Sequence, residues 1–157
     1  MLKYISLLVL TLVLVSLSAS VIKAAETKLN TDNGLALHGY DPVSYHTGRP
    51  LKGKETWSLD HRGATYLFAS RANLESFMES PDNFVPAYGG WCAWAMLDGE
   101  LVDVDPLTFK VIDGTTYLFY NSFFINTLKK WNDRGAENGE PSLIELADRA
   151  WKSIVDG

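Results

Sequence analysis

The chain has one cysteine, Cys92, in 157 residues, so it cannot form an internal disulfide. Its three histidines, His38, His46 and His61, show no short ligand spacing, and sequence proximity alone assembles no metal site. Basic residues are scarce, with 14 Lys and Arg against 19 Asp and Glu and no basic cluster. Such a balance makes both nucleic acid and anionic lipid poor partners. No phosphate-binding glycine loop and no nucleophile elbow occurs. Asp41, Asp103 and Asp105 form no recognisable acid pair, and no internal repeat is evident. These absences point away from an enzyme and leave open only a chemistry carried by Cys92. After Ile22 no segment is apolar enough to span a bilayer.

What is there begins with an address. Lys3 is followed by an apolar run from Ile5 to Leu17, broken by Ser6, Thr11 and Ser16. Small residues at Ser18, Ala19, Ser20, Ala24 and Ala25 complete the pattern of a secretory signal peptide over residues 1–24. The expected cut follows Ala24, with Ser20 and Ala25 as alternatives, and the competing reading is an uncleaved anchor from Leu2 to Ile22. Cleavage predicts an exported protein, periplasmic or secreted, with no stable membrane span. Losing Lys3 and Lys23 takes the net charge from −5 to about −7. In an oxidising compartment a lone Cys92 is buried, metal-bound, reactive or paired with another molecule.

The remaining residues, about 130, suffice for one domain with a proper core. Residues 25–34 read as a polar lead-in. Asp41 and Pro42 form an N-cap and first-turn proline for a helical turn through Tyr45, and Thr47 to Glu55 reads as a loop. Trp57 to His61 and Ala64 to Phe68 alternate around Arg62-Gly63 as a hairpin. Ser70 caps a helix with Leu74, Phe77 and Met78 on one face. Trp91 to Leu97 fits either strand or helix. Phe109 to Ile112 and Thr116 to Tyr120 make a second hairpin across Asp113-Gly114. Asn121 or Ser122 starts an amphipathic helix bearing Phe124, Leu128 and Trp131. A loop from Arg134 to Pro141 then precedes a last helix opened by a Ser142–Glu145 capping box. That helix carries Leu143, Leu146, Ala147, Ala150, Trp151 and Ile154 at helical spacing. The fold class is α+β, a small single domain of short antiparallel hairpins packed with helices.

Three blocks carry a resemblance: Gly39-Tyr40-Asp41-Pro42-Val43-Ser44-Tyr45, Gly63-Ala64-Thr65-Tyr66-Leu67-Phe68-Ala69-Ser70, and Tyr88-Gly89-Gly90-Trp91-Cys92-Ala93. In this order and spacing they resemble the YHS domain in its exported, single-domain form. The resemblance spans residues 35–131, followed by the loop and C-terminal helix of residues 132–157. It implies a fold more firmly than an activity. Related modules on heavy-metal transporters carry cysteines where this chain has Ser44, Ala69 and Ala72 or Asn73, so their thiolate set is missing and a four-ligand zinc site is not expected.

Cys92 is therefore the residue on which any metal or thiol chemistry depends. Behind a glycine pair, in the first turn of a helix, it would favour thiolate, whereas flanked by Trp91, Ala93 and Trp94 it would be plain core. With His38 as imidazole and Met96 as thioether, it makes a soft donor set suited to copper as Cu(I). His46 and His61 are expected to be solvated. A ligand pocket is expected from Tyr40, Asp41, Tyr45, Tyr66, Tyr88 and Trp91, although the same aromatics could simply pack a core. The leading expectation is a non-enzymatic exported binding protein for a soft metal. A thiol-dependent redox protein and a partner-binding module with Cys92 buried are the alternatives. The first test is the leader: the intact mass of the exported protein should lack roughly the first 24 residues, and a full-length, membrane-bound chain would contradict cleavage.

Overall fold

Alternation builds the first sheet. In β3, Lys54–His61, residues Trp57, Leu59 and His61 turn inward while Ser58 and Asp60 face solvent. It pairs antiparallel with β4, Ala64–Phe68, across Arg62 and Gly63, both at positive φ as a two-residue hairpin requires. Two short strands complete the sheet, β1 (Thr31–Asp32) and β2 (Leu35–Ala36), in the order β1-β2-β4-β3 with β2 parallel to β4. The computed structural model describes residues 28–157; the predicted signal peptide and the start of the lead-in lie outside the described residues. The rest of the lead-in is a hairpin, not a loose segment, because Asn33 and Gly34 form a turn between β1 and β2. The Asn-Gly dipeptide was the available signal.

After β4, Ser70 accepts a hydrogen bond from the Asn73 N–H and starts α1, Arg71–Glu79. Phe77 is fully buried and Leu74 partly so, but Met78 is 59% exposed and does not belong to the packed face. One position past Phe77, the helical turn carries it outward. Phe77 instead meets the rings of Tyr66, Phe68, His61 and Phe84. The ambiguous segment resolves as helix: α2 is the single turn Ala93–Met96.

The second hairpin joins β5, Asp105–Ile112, to β6, Thr115–Phe119, across Asp113-Gly114. All of Thr116 to Phe119 is buried, because β6 has a core on each side. Leu118 points into a first cluster with Tyr45, Tyr66, Phe68, Phe77 and Cys92. Tyr117 and Phe119 point into a second with Tyr88, Met96, Trp131, Leu143 and Ala147. The fold is α+β, as expected from the sequence.

The C-terminal third departs from its sequence reading. The helix expected from Asn121 or Ser122 begins only at Thr127, capped by Asn126, and α3 runs Thr127–Asn138. Phe124 is 97% exposed and lies outside it. The expected loop from Arg134 to Pro141 is mostly helix. Gly139 alone turns the chain, and Pro141 sits in the first turn of α4, Glu140–Asp156, where no N–H is needed. Ser142 is thus inside that turn and makes no capping box. Among the described residues no helix is long and apolar enough to cross a membrane. Phe77→Ala should cost about 3–5 kcal/mol in denaturant unfolding; a loss under about 1 kcal/mol would show that the ring cluster is not the core of this half.

Candidate functional site

Asp41 is wholly buried and its carboxylate is saturated. Oδ1 accepts from the Val43 N–H at 2.8 Å and the Ser44 N–H at 3.4 Å. Oδ2 accepts from the Ala69 N–H at 2.8 Å and from Asn73 Nδ2 at 2.6 Å. The side chain does cap the turn Val43–Thr47, as the sequence suggested, and it also clips that turn to the end of β4 and to α1. Asp41 is therefore a structural tie with no capacity left for a ligand.

The predicted pocket aromatics separate into four places. Tyr45 is 1% exposed, donates its hydroxyl to the Pro106 carbonyl, and sets its ring edge-on to Phe109. Burial, with Tyr40, Asp105 and Asp41 nearby, pushes its pKa far up. Tyr40 is half-buried beneath the Lys52 ammonium, 4.2 Å from its ring centroid. Trp91 donates its indole N–H to the Lys28 carbonyl. Tyr66 and Tyr88 alone share a recess of about 180 Å³, with Leu29, Val85, Gly89 and Trp151 around it and Arg62 at its edge. Tyr88 gives its hydroxyl to Asp148, and burial followed by that carboxylate drives its pKa strongly upward. Tyr66, pushed up to about 12 by burial, makes no hydrogen bond through its hydroxyl among the described residues.

Gly89 shapes this recess. It holds φ +60°, and a Cβ there would lie 2.9 Å from the Lys28 carbonyl and 3.1 Å from the Trp151 ring. A side chain is excluded by both conformation and space. A larger groove, about 530 Å³, runs between α4 and the β5–β6 turn. It touches none of the three motif blocks, and three of its carboxylates are already engaged: Glu140 by Lys110 and Trp131, Glu145 by Arg149, and Asp148 by Tyr88.

The three predicted metal donors have separate surroundings. Cys92 is 0% exposed in the first core cluster. Its sulfur accepts from the Tyr120 N–H at 3.4 Å and lies 3.5 Å from Thr127 Oγ1. The Thr127 hydroxyl proton is committed to the Tyr120 carbonyl at 2.8 Å, which leaves the thiol to donate to Thr127. Both roles of an uncharged thiol are thereby filled. Met96 is 0% exposed and packs into the second cluster. His38 Nε2 lies 2.9 Å from Asp103 Oδ1, and no hydrogen bond joins it to Cys92 among the described residues. No group of three His, Cys, Asp or Glu residues there could hold a metal ion.

The His38–Asp103 pair was invisible in the sequence. Leu37 and His38 both have positive φ, a costly conformation that aims His38 at Asp103. Asp103 also accepts from Asn30 Nδ2 at 2.8 Å and from the Val104 N–H, and Asn30 reaches the Gly90 carbonyl. His38 beside the first block and Gly90 in the third are thus joined through Asn30 and Asp103, which lie outside all three blocks. His61 is not solvated as expected. Its period-two position turns it onto Phe77 and Tyr66, leaving Nε2 buried without a partner among the described residues, and desolvation lowers its pKa. His46 is exposed as expected, although its ring meets Phe84 edge-on.

Comparison with protein-family models, with curated proteins and with solved structures finds no match. The site is accordingly read from its own geometry. Partial burial pushes the Asp103 carboxyl up, but hydrogen bonds from Asn30, Val104 and His38 outweigh it and hold the pKa below the usual carboxylate range. The stability Asp103 lends is therefore present above its unfolded value, about 4, and is lost as pH falls through the lowered folded one. Asn30→Ala removes one donor, so the Asp103 carboxyl titration followed by NMR should move upward toward the ordinary value. An unmoved titration would mean that Asn30 does not hold this carboxylate.

Proposed function

We propose that this chain is an exported YHS-like binding module, not an enzyme, in which Cys92 is packing and the ligand enters the recess between Tyr66 and Tyr88. The observation that carries this reading is the recess itself, lined by Tyr66, which makes no side-chain hydrogen bond among the described residues. Two of the three motif blocks contribute to the same walls, through Tyr66 and through Tyr88-Gly89. Apolar walls with one convergent polar group suit a small apolar molecule carrying a single hydrogen-bond acceptor. Arg62 at the edge would favour an anionic acceptor, although its guanidinium is already 2.8 Å from Asp82.

Copper held by Cys92 receives no support from the thiol's surroundings. A metal there would have to displace the hydrogen bonds of Tyr120 and Thr127 and find further donors inside an apolar cluster. A redox role meets the same obstacle, because a reactive thiol needs access and a partner that favours thiolate.

A fragment screen followed by amide and indole NMR shifts tests the proposal. Hits should move Gly89 and the Trp151 indole, and Tyr66→Phe should weaken them while leaving thermal stability nearly unchanged. Shifts clustering elsewhere, or none, would reject the recess. In parallel, wild type and Cys92→Ser should take up Cu(I) equally, and the Cys92 thiol should react with a disulfide reagent only on unfolding. Cu(I) binding lost in Cys92→Ser would restore the metal reading.

A further inference from the structure

Phe123 and Phe124 are 100% and 97% exposed, the two most exposed large apolar side chains among the described residues. They sit at the tip of a short closed hairpin. The Thr127 N–H and hydroxyl both donate to the Tyr120 carbonyl at its base, Asn121 pairs with Asn126, and Ser122 and Ile125 exchange backbone hydrogen bonds below the tip. This ladder presents the two rings outward, their centroids 6.5 Å apart, and gives them no route to fold back. Tight turns ordinarily take Gly, Asn, Asp, Ser or Pro. Two phenylalanines here contradict the local chemistry and gain nothing from the rest of the chain, which is a mark of function.

Three observations identify the occupant. The first is charge: from Asn121 to Trp131 the chain has no acidic residue and carries Lys129 and Lys130, with Asp133 beside them and Asp105 against Asn121, although the whole protein is at −5. Lys129 pairs with Asp133, while Lys130 is exposed with no ion pair among the described residues. The second is area. Two phenylalanines bury roughly 300–500 Å² at most, below the roughly 800 Å² that each partner of a standard specific interface buries. The third is shape: both rings stand almost wholly in solvent, and with Lys129, Lys130 and Asp133 they line one open recess of about 420 Å³ beside the tip. A bilayer interface takes up such a tip ring by ring, with no need for a complementary partner surface, and anionic headgroups answer the neighbouring lysines.

We infer that Phe123 and Phe124 form a membrane-contact knuckle that inserts into the interface of an anionic bilayer, with Lys129 and Lys130 at headgroup level. This contact is peripheral, involves no spanning segment, and stands independently of the recess between Tyr66 and Tyr88. The overall negative charge opposes approach, so attachment depends on ring insertion more than on attraction at a distance.

Co-sedimentation of the full exported chain with phosphatidylcholine vesicles, with and without phosphatidylglycerol, tests it. The wild type should sediment with the phosphatidylglycerol vesicles, less in high salt and less with phosphatidylcholine alone. The double variant Phe123→Ser/Phe124→Ser should lose most of the bound fraction at an unchanged thermal midpoint, since neither ring packs inside the fold. Lys130→Glu should reduce binding to the anionic vesicles only. Failure of the wild type to sediment with either vesicle, or equal sedimentation of the double variant, would overturn the inference. So would concentration-dependent self-association that the double variant abolishes, which would assign the knuckle to a second copy of the chain.

Discussion

The buried carboxylate of Asp41 is the constraint on which the first half of the molecule depends. A carboxylate without solvent is tolerable only when every strong acceptor direction is met, and here four N–H donors from three segments converge on it. Each donor is a backbone or amide group held by its own element, so the turn Val43–Thr47, the end of β4 and the start of α1 are fixed relative to one another. Ser44 extends the clip by donating to the Asp41 carbonyl and accepting from the Leu51 N–H. Tyr45 then leaves the same turn to anchor on Pro106 in β5. The segment from Gly39 to Tyr45 thus acts as a joint between the sheets, and the polar groups of Asp41, Ser44 and Tyr45 are consumed by that task.

A second constraint is β6, whose two faces serve different cores. Period-two alternation sends Leu118 one way and Tyr117 and Phe119 the other. Cys92 lies beside this strand through its bridge to Leu118, and its thiol is enclosed where α3 begins at Thr127. The same placement that makes it a good filler between two clusters removes it from solvent. Burial with both hydrogen-bond roles occupied accounts for the single cysteine without invoking oxidation or metal.

Because the motif residues are largely taken up by structure, the proposed recognition falls to what they leave over. Tyr66 retains an unengaged hydroxyl, and Gly89 opens space by having no side chain. At the other extreme, Phe123 and Phe124 are held away from both cores by a hairpin that keeps them in water. The recess lies among ordered aromatics, whereas the knuckle is a two-residue tip, so substitutions in one leave the packing of the other untouched.

Local chemistry was legible in the sequence. The Arg62-Gly63 and Asp113-Gly114 hairpins, the Ser70 cap, the Asp41 cap and the α+β class all follow from turn chemistry and from periodicities of two and 3.6, which act over a few residues. Asn33-Gly34 carries the same signal inside a polar segment. The helix expected from Asn121 was lost because apolar spacing cannot distinguish Phe124 packed in a helix from Phe124 exposed at a hairpin tip. What decides that case is the hydrogen bonding of Tyr120 with Thr127, seven residues apart. Partnership across the chain was not legible at all: His38 with Asp103, Asn30 with Gly90, Tyr66 beside Trp151, and Cys92 enclosed by Thr127. The sequence by itself determined which segments turn, alternate and cap, since those depend on neighbouring residues. Only the tertiary structure decided which polar groups are satisfied and which stand unpaired, because a side chain's free energy depends on atoms that the fold brings from distant segments.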